Sequence, residues 1–152
     1  MPSDALSGRC YCGKTLMHAD GPPLTVAYCH CGDCRRWSGA PISAFAAMSP
    51  NAVRFTPDLH WKSSVAGVTR ANCRDCGSPL AARFDYLPDQ IFIPVGLFDH
   101  PDTLPPQHHS HFGSRLNWLH LTDDLPKSDA SARVTLLSSG LSSGPTRGTD
   151  TP

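Results

Sequence analysis

The stretch Tyr28-Cys29-His30-Cys31-Gly32-Asp33-Cys34-Arg35-Arg36-Trp37-Ser38-Gly39 sets three thiols at Cys-x-Cys-x-x-Cys spacing and follows them at once with two arginines. In an extended segment, side chains two apart share a face and their Cα atoms lie about 6.5 to 7 Å apart. Cys29 and Cys31 can then converge on one ion while His30 points away. Gly32 permits a tight turn that brings Cys34 round as a third ligand, and the expectation is a three-thiolate zinc site. Three ligands are one short of the tetrahedron zinc prefers, so chemistry is expected at the fourth position.

Working outward, Gly8-Arg9-Cys10-Tyr11-Cys12-Gly13 reads as a second extended Cys-x-Cys with both thiols on one face. Downstream, Cys73-Arg74-Asp75-Cys76-Gly77 is a common half-site for structural zinc. Joining Cys10 and Cys12 to Cys73 and Cys76 makes a closed four-thiolate site and leaves Cys29, Cys31 and Cys34 for an open one, which accounts for all seven cysteines. An odd count leaves one thiol over in any complete set of disulfides, and Cys-x-Cys pairs suit a shared metal better than a bridge. Two zinc ions per chain are expected.

The flanking segments point to a mainly β chain. Fifteen Pro and twelve Gly argue against long helices. Strands are expected at Lys14 to His18, Leu24 to Tyr28, Ile42 to Met48, Ala52 to Phe55, Leu59 to Ser63, Leu80 to Phe84 and Gln90 to Val95. The last is too continuously apolar to have a solvent face. Arg35 to Trp37 suggests a single helical turn, Gln107 to Phe112 a solvated histidine-rich loop, and Trp37, Trp61 and Trp118 core or pocket wall. A zinc-binding domain is expected over residues 6–126, with 127–152 a disordered Ser/Thr/Gly/Pro-rich tail.

Zero formal net charge and a pI near 7.1 remove the electrostatic footprint of a nucleic-acid binder. No apolar run approaches a membrane span, and the N-terminus lacks a basic and apolar leader, so a soluble cytoplasmic protein is expected.

With these motifs assembled, the sequence resembles the glutathione-dependent formaldehyde-activating enzyme family, which shares its zinc-bound domain with the centromere protein V group. The resemblance runs from Gly8-x-Cys10-x-Cys12-Gly13 through Cys29-His30-Cys31-x-x-Cys34-Arg35 and Ser38-Gly39 to Cys73-x-x-Cys76-Gly77-Ser78-x-Leu80. It continues in Gly96, Asp99, Ser114-Arg115-x-x-Trp118 and Leu125-Pro126. It implies an Mss4-like fold of antiparallel β-sheets clamped by a four-cysteine zinc, with few short helical turns. It implies structural ligands at Cys10, Cys12, Cys73 and Cys76 and a catalytic-type zinc at Cys29, Cys31 and Cys34. Asn72 departs from the family pattern, which often has an aromatic residue or His there.

The activity so implied is that of a carbon–sulfur lyase acting on a glutathione or other thiol adduct of formaldehyde or a small aldehyde. Coordination deprotonates thiols, so a substrate thiol taking the fourth position becomes a nucleophile at neutral pH. Arg35, and Arg36 beside it, are candidates to offset the negative charge or to anchor glutathione carboxylates. The alternative is a non-catalytic interaction module whose second zinc is closed by His60, His108, His109 or His111. His30 is read as a packing or supporting residue rather than a ligand.

Overall fold

The computed structural model describes residues 5–131. In chain order the elements are β1 (Leu6–Arg9), β2 (Leu16–Ala19), β3 (Thr25–Cys29), α1 (Gly32–Ser38), β4 (Ser43–Met48), β5 (Val53–Thr56), β6 (Trp61–Val65), β7 (Val68–Asn72), β8 (Pro79–Phe84), β9 (Ile91–Pro94) and β10 (His108–Ser110). No described helix is long and apolar enough to cross a membrane. The strands form two sheets, a small one ordered β1-β2-β5 and a large one ordered β10-β3-β4-β9-β8-β7-β6. Neighbours run antiparallel except β10, which lies parallel to β3. The chain is mainly β, as its glycine and proline content and short alternating runs require.

Period-two alternation gives the large sheet two different buried faces. Val26 of β3, Ala46 and Met48 of β4, and Ile91 and Ile93 of β9 join Met17 and Ala19 of β2 in the main core. On the opposite face Thr25, Ala27, Phe45, Ala47 and Phe92 line a cavity. The continuous apolar run around β9 has no solvent face for this reason: one side meets the core and the other the cavity.

Several expectations are corrected. Cys10 to Cys12 is not extended, because β1 ends at Arg9 and the chain turns at once, with Gly13 N–H donating to the Cys10 carbonyl at 3.0 Å. The helical segment after Cys31 spans Gly32–Ser38 rather than one turn. The histidines at 108 and 109 are not a solvated loop: they sit in β10, 5 % and 1 % exposed, where backbone pairing with β3 draws them inside. Trp118 is 65 % exposed and belongs to neither core nor cavity wall. Residues 127 to 131, assigned in the sequence to a tail, lie along β10, Ser128 N–H donating to the His109 carbonyl at 3.0 Å and His111 N–H to the Ala130 carbonyl at 3.1 Å. The rest of that expected tail, 132 to 152, lies outside the described residues.

The small sheet approaches the strand end of β9 through Gly8, which bridges to Phe98. A Cβ on Gly8 would overlap the Leu97 carbonyl oxygen and press on Met17. Gly8→Ala is expected to lower unfolding stability by about 1–3 kcal/mol in denaturant melts. An unchanged midpoint would mean that β1 can withdraw from this contact freely.

Candidate metal centres

Two hairpin-like turns from different sheets carry the four-cysteine set. Cys10 and Cys12 lie between β1 and β2, and Cys73 and Cys76 between β7 and β8. In the second turn Gly77 adopts φ +77°, a left-handed conformation natural to glycine, and its N–H donates to the Cys73 carbonyl at 2.9 Å. All four Sγ atoms lie within 4.8 Å of one another, with Cys10 to Cys12 at 3.5 Å and Cys12 to Cys73 at 3.8 Å. A tetrahedron of sulfurs about 2.3 Å from a zinc has edges of roughly 3.8 Å, so the spacing fits such an ion. Around it, Thr15 N–H donates to Cys10 Sγ at 3.3 Å and Tyr11 N–H to Ser78 Oγ at 3.0 Å. Asn72 is spent on structure: its Oδ1 accepts from Trp37 Nε1 at 3.1 Å and its Nδ2 donates to the Gly77 carbonyl at 3.0 Å.

The three-cysteine set is built by the end of β3 and the start of α1. Cys31 is the N-cap, extended at φ −68° and ψ 149°, and its Sγ accepts from Cys34 N–H at 3.2 Å. Helix geometry, rather than a glycine turn, therefore carries Cys34 back beside Cys31. Cys29 and Cys34 sulfurs stand 3.5 Å apart, and all three Sγ atoms lie within 4.8 Å of one another. Among the described residues no histidine, aspartate or glutamate joins them at that distance. His108 is bonded to Ser128 Oγ at 2.8 Å, His109 is bonded elsewhere, and His60 is exposed. His111 lines the cavity without entering the cluster.

The proton affinities of these thiols diverge. Hydrogen bonds from Cys29 and Cys34 hold Cys31 down to about 2, while Cys29 is raised well above the ordinary thiol range by its two neighbouring sulfurs and by burial. A bond from Cys29 opposes the rise at Cys34, but the Cys31 sulfur and burial push it up to about 12. In the other set, a hydrogen bond from Ser78 draws Cys76 down to about 5. Each cluster thus tolerates some thiolate by itself and resists becoming wholly ionised. A divalent cation removes that conflict, and the donor set is the soft one that zinc favours.

The cation beside the sulfurs is not the one expected. Arg35 donates through Nη1 to the carbonyls of His30 and Ser114, the latter at 2.8 Å, and Arg36 is exposed. Arg70 of β7 instead reaches Cys34 Sγ at 3.7 Å, pairs with Asp33, and stacks over Trp37 with its Cζ 4.2 Å from the ring centroid. Its side chain is 10 % exposed. Sequence reading missed it because Val68–Asn72 was not taken as a strand. The turn glycine at 67 before an alternating Val-Thr-Arg-Ala was the available clue.

His30 turns away from the sulfurs into a buried chain. Its Nε2 lies 2.8 Å from His109 Nδ1, and His109 Nε2 lies 3.0 Å from Asp123 Oδ2. The bond from His109 holds the Asp123 carboxyl below its usual range, and burial lowers His30 to about 4. The rings stack, with Phe112 edge-on to both histidines. This chain fixes the backbone between Cys29 and Cys31.

Cys29, Cys31 and Cys34 form part of the wall of a cavity of about 200 Å³ on the second face of the large sheet. The four-cysteine set is outside it.

Comparison with known proteins places this geometry in context. A comparison with curated proteins returned no significant match. Among solved structures, a Rhodobacter sphaeroides crystal structure is similar with a TM-score of 0.51 at 17 % identity, covering 80 % of this chain and 99 % of that one. At that identity the likeness carries the fold alone. A family model described as glutathione-dependent formaldehyde-activating enzyme matches residues 5–114, a span that holds all seven cysteines, both clusters and Arg70. The chain belongs to the glutathione-dependent formaldehyde-activating enzyme family.

Proposed function

We propose that this chain is a zinc-dependent carbon–sulfur lyase-type enzyme acting on the adduct of a thiol, glutathione or another, with formaldehyde or a small aldehyde. Cys10, Cys12, Cys73 and Cys76 hold a structural zinc, and Cys29, Cys31 and Cys34 hold a second with an open position. The observation that carries the reading is that three convergent thiols without a fourth protein donor among the described residues face a cavity. Seven free thiols suit a reducing compartment such as the cytoplasm.

When bound by three thiolates, zinc supplies acidity to a thiol at its fourth position, which is then available as thiolate at neutral pH. The net reaction joins sulfur to the carbonyl carbon and leaves the thiol proton on the oxygen; its reverse releases thiol and aldehyde, and nothing is oxidised or reduced. The protein's own groups prepare that site. Arg70 sets positive charge beside Cys34, and the Cys34 amide steadies Cys31 as thiolate. Phe45 and Phe92 exclude water from the cavity wall, which strengthens charge interactions there. Arg35 acts on this reading by holding the His30 and Ser114 carbonyls together, so that its role is to position the motif.

Metal analysis and melting of two variants separate the clusters. Cys31→Ser is expected to fold with about one zinc instead of two. Cys73→Ser is expected to lose cooperative folding, because apparent structural zinc binding of about 10 to 16 kcal/mol exceeds the net stability of most domains. Equal damage from both variants would dismiss the division of labour. The function itself is tested by X-ray absorption with and without added thiol: the second site should gain a sulfur. A site already closed by three sulfurs and a nitrogen, and unmoved by thiol, sinks the enzyme reading.

A further inference from the structure

Joining a thiol to an aldehyde moves a proton: the thiol gives one up and the new hydroxyl of the adduct carries one. Catalysis of that transfer needs a titratable side chain within reach of both atoms. Besides the sulfurs, Asp33, Asp85, Tyr86 and His111 are the titratable groups of the cavity wall among the described residues. Asp33 is paired with Arg70. Asp85 and Tyr86 follow β8 at the tip of the β6–β7 hairpin, where the Asp85 N–H donates to the Gly67 carbonyl at 3.0 Å. Gly67 is three positions, roughly 10 Å of extended chain, before Arg70, the residue of β7 that reaches Cys34. His111 is the group that stands beside the cysteine motif.

Its place follows from strand register. β10 pairs with β3 so that Ser110 lies opposite Cys29, and the His30 N–H donates to the Ser110 carbonyl at 3.0 Å. His111 comes next, level with the segment that joins Cys29 to Cys31. Strand alternation would send it to the face of His109, which stacks on Tyr28 and bonds to His30. It lines the cavity instead. The backbone supplies the reason: at φ 54° and ψ 42°, His111 is left-handed, the only such residue besides glycines among those described. That conformation is uncommon for a residue with a side chain, and such outliers cluster at functional sites.

The ring is unengaged as well. His30, His108 and His109 are spent on hydrogen bonds to their neighbours. His111 precedes the turn Phe112–Ser114 without capping it through its side chain, and its ring forms no hydrogen bond, ion pair or ring contact among the described residues. It does not share the mutual 4.8 Å spacing of the three sulfurs, so it is not placed as a ligand with them. Yet it is near enough for its charge to add to the hydrogen bonds from Cys29 and Cys34 that pull Cys31 down. Imidazole is the side chain that takes and releases protons near neutral pH.

We propose that His111 is a catalytic residue of the reaction, carrying the proton between the thiol sulfur and the oxygen of the adduct. This rests on reading the three-cysteine set as an open thiol-binding centre. In the forward direction the imidazole takes the thiol proton and the sulfur bonds to the aldehyde carbon. The π pair of the carbonyl moves to oxygen, which receives the proton from the imidazolium. In reverse the neutral ring takes the hydroxyl proton, the carbonyl re-forms, and the carbon–sulfur bond breaks with its electron pair on sulfur.

The test uses the two-zinc protein with glutathione and formaldehyde near neutral pH, beside His111→Gly and His111→Asn, two residue types that accept the left-handed backbone. Turnover is read by exchange NMR above the uncatalysed rate, glutathione affinity by calorimetry, and the second zinc by X-ray absorption. Both variants are expected to lose about 100-fold or more in kcat, with KM and glutathione affinity within about twofold of the parent and the same gain of one sulfur at the second zinc. A kcat within about threefold of the parent in either variant overturns the proposal. So does a loss of glutathione affinity that matches the loss of turnover, or a nitrogen at the second zinc of the parent that disappears in the variants, which would make His111 a ligand. A parent that gains the sulfur but shows no exchange above the uncatalysed rate overturns it too. Failure of glutathione to add a sulfur to the parent removes the open-centre reading itself, and the proposal with it.

Discussion

Four sulfurs held within 4.8 Å of one another at the junction of two sheets are the constraint on which the rest of this structure depends. Cys10 and Cys12 come from the turn of the small sheet, Cys73 and Cys76 from a turn of the large one. The strands of the small sheet are four residues each, too short to hold register by their own pairing. Tying the two turns together fixes the angle at which Met17 and Ala19 meet Ala46, Met48 and Ile93 across the core. The Lys14–Asp75 pair spans the same junction at 3.2 Å, but it is exposed and worth little by comparison.

Once the small sheet covers one face of the large sheet, the other face becomes free to carry chemistry. Successive residues of β3, β4 and β9 alternate between core and cavity, so Ile93 and Phe92 serve different ends one residue apart. The three-cysteine motif enters at the edge of that second face because β3 ends at Cys29 and α1 starts three residues later. Cysteines 31 and 34 are consequently buried against Phe45, Trp37 and Phe92 rather than displayed on a loop.

The immediate surroundings of this site divide two tasks between two buried networks. Arg70, Asp33 and Trp37 join β7 to α1 and set a guanidinium beside the sulfurs. His30, His109 and Asp123 join the motif to β10 and to the chain beyond it. Burial of so many polar groups is tolerated because most are hydrogen-bonded, and the exceptions, among them His30 Nδ1 and Arg70 Nη1, cluster around the site.

The sequence by itself determined how the seven cysteines divide into two sets and the mainly β character of the chain. Thiol spacing and number are local and combinatorial: Cys-x-Cys, Cys-x-x-Cys-Gly and a count of seven leave few partitions open. The strands around Val26, Ala46, Leu80 and Ile93 were legible for the same reason, since alternation and apolar runs are written in order along the chain. Tertiary structure alone decided which charges meet the sulfurs. Arg35 is adjacent in sequence but spent on backbone carbonyls, whereas Arg70 arrives from 36 positions away because β7 pairs with β8 and lies across Trp37. The histidine-rich segment looked solvated because a three-residue parallel edge strand leaves no periodic trace, and only pairing with β3 buries it. The cavity likewise has no sequence pattern: it is enclosed by residues from Thr25 to Ser131 that only sheet order and the β6–β7 hairpin bring together.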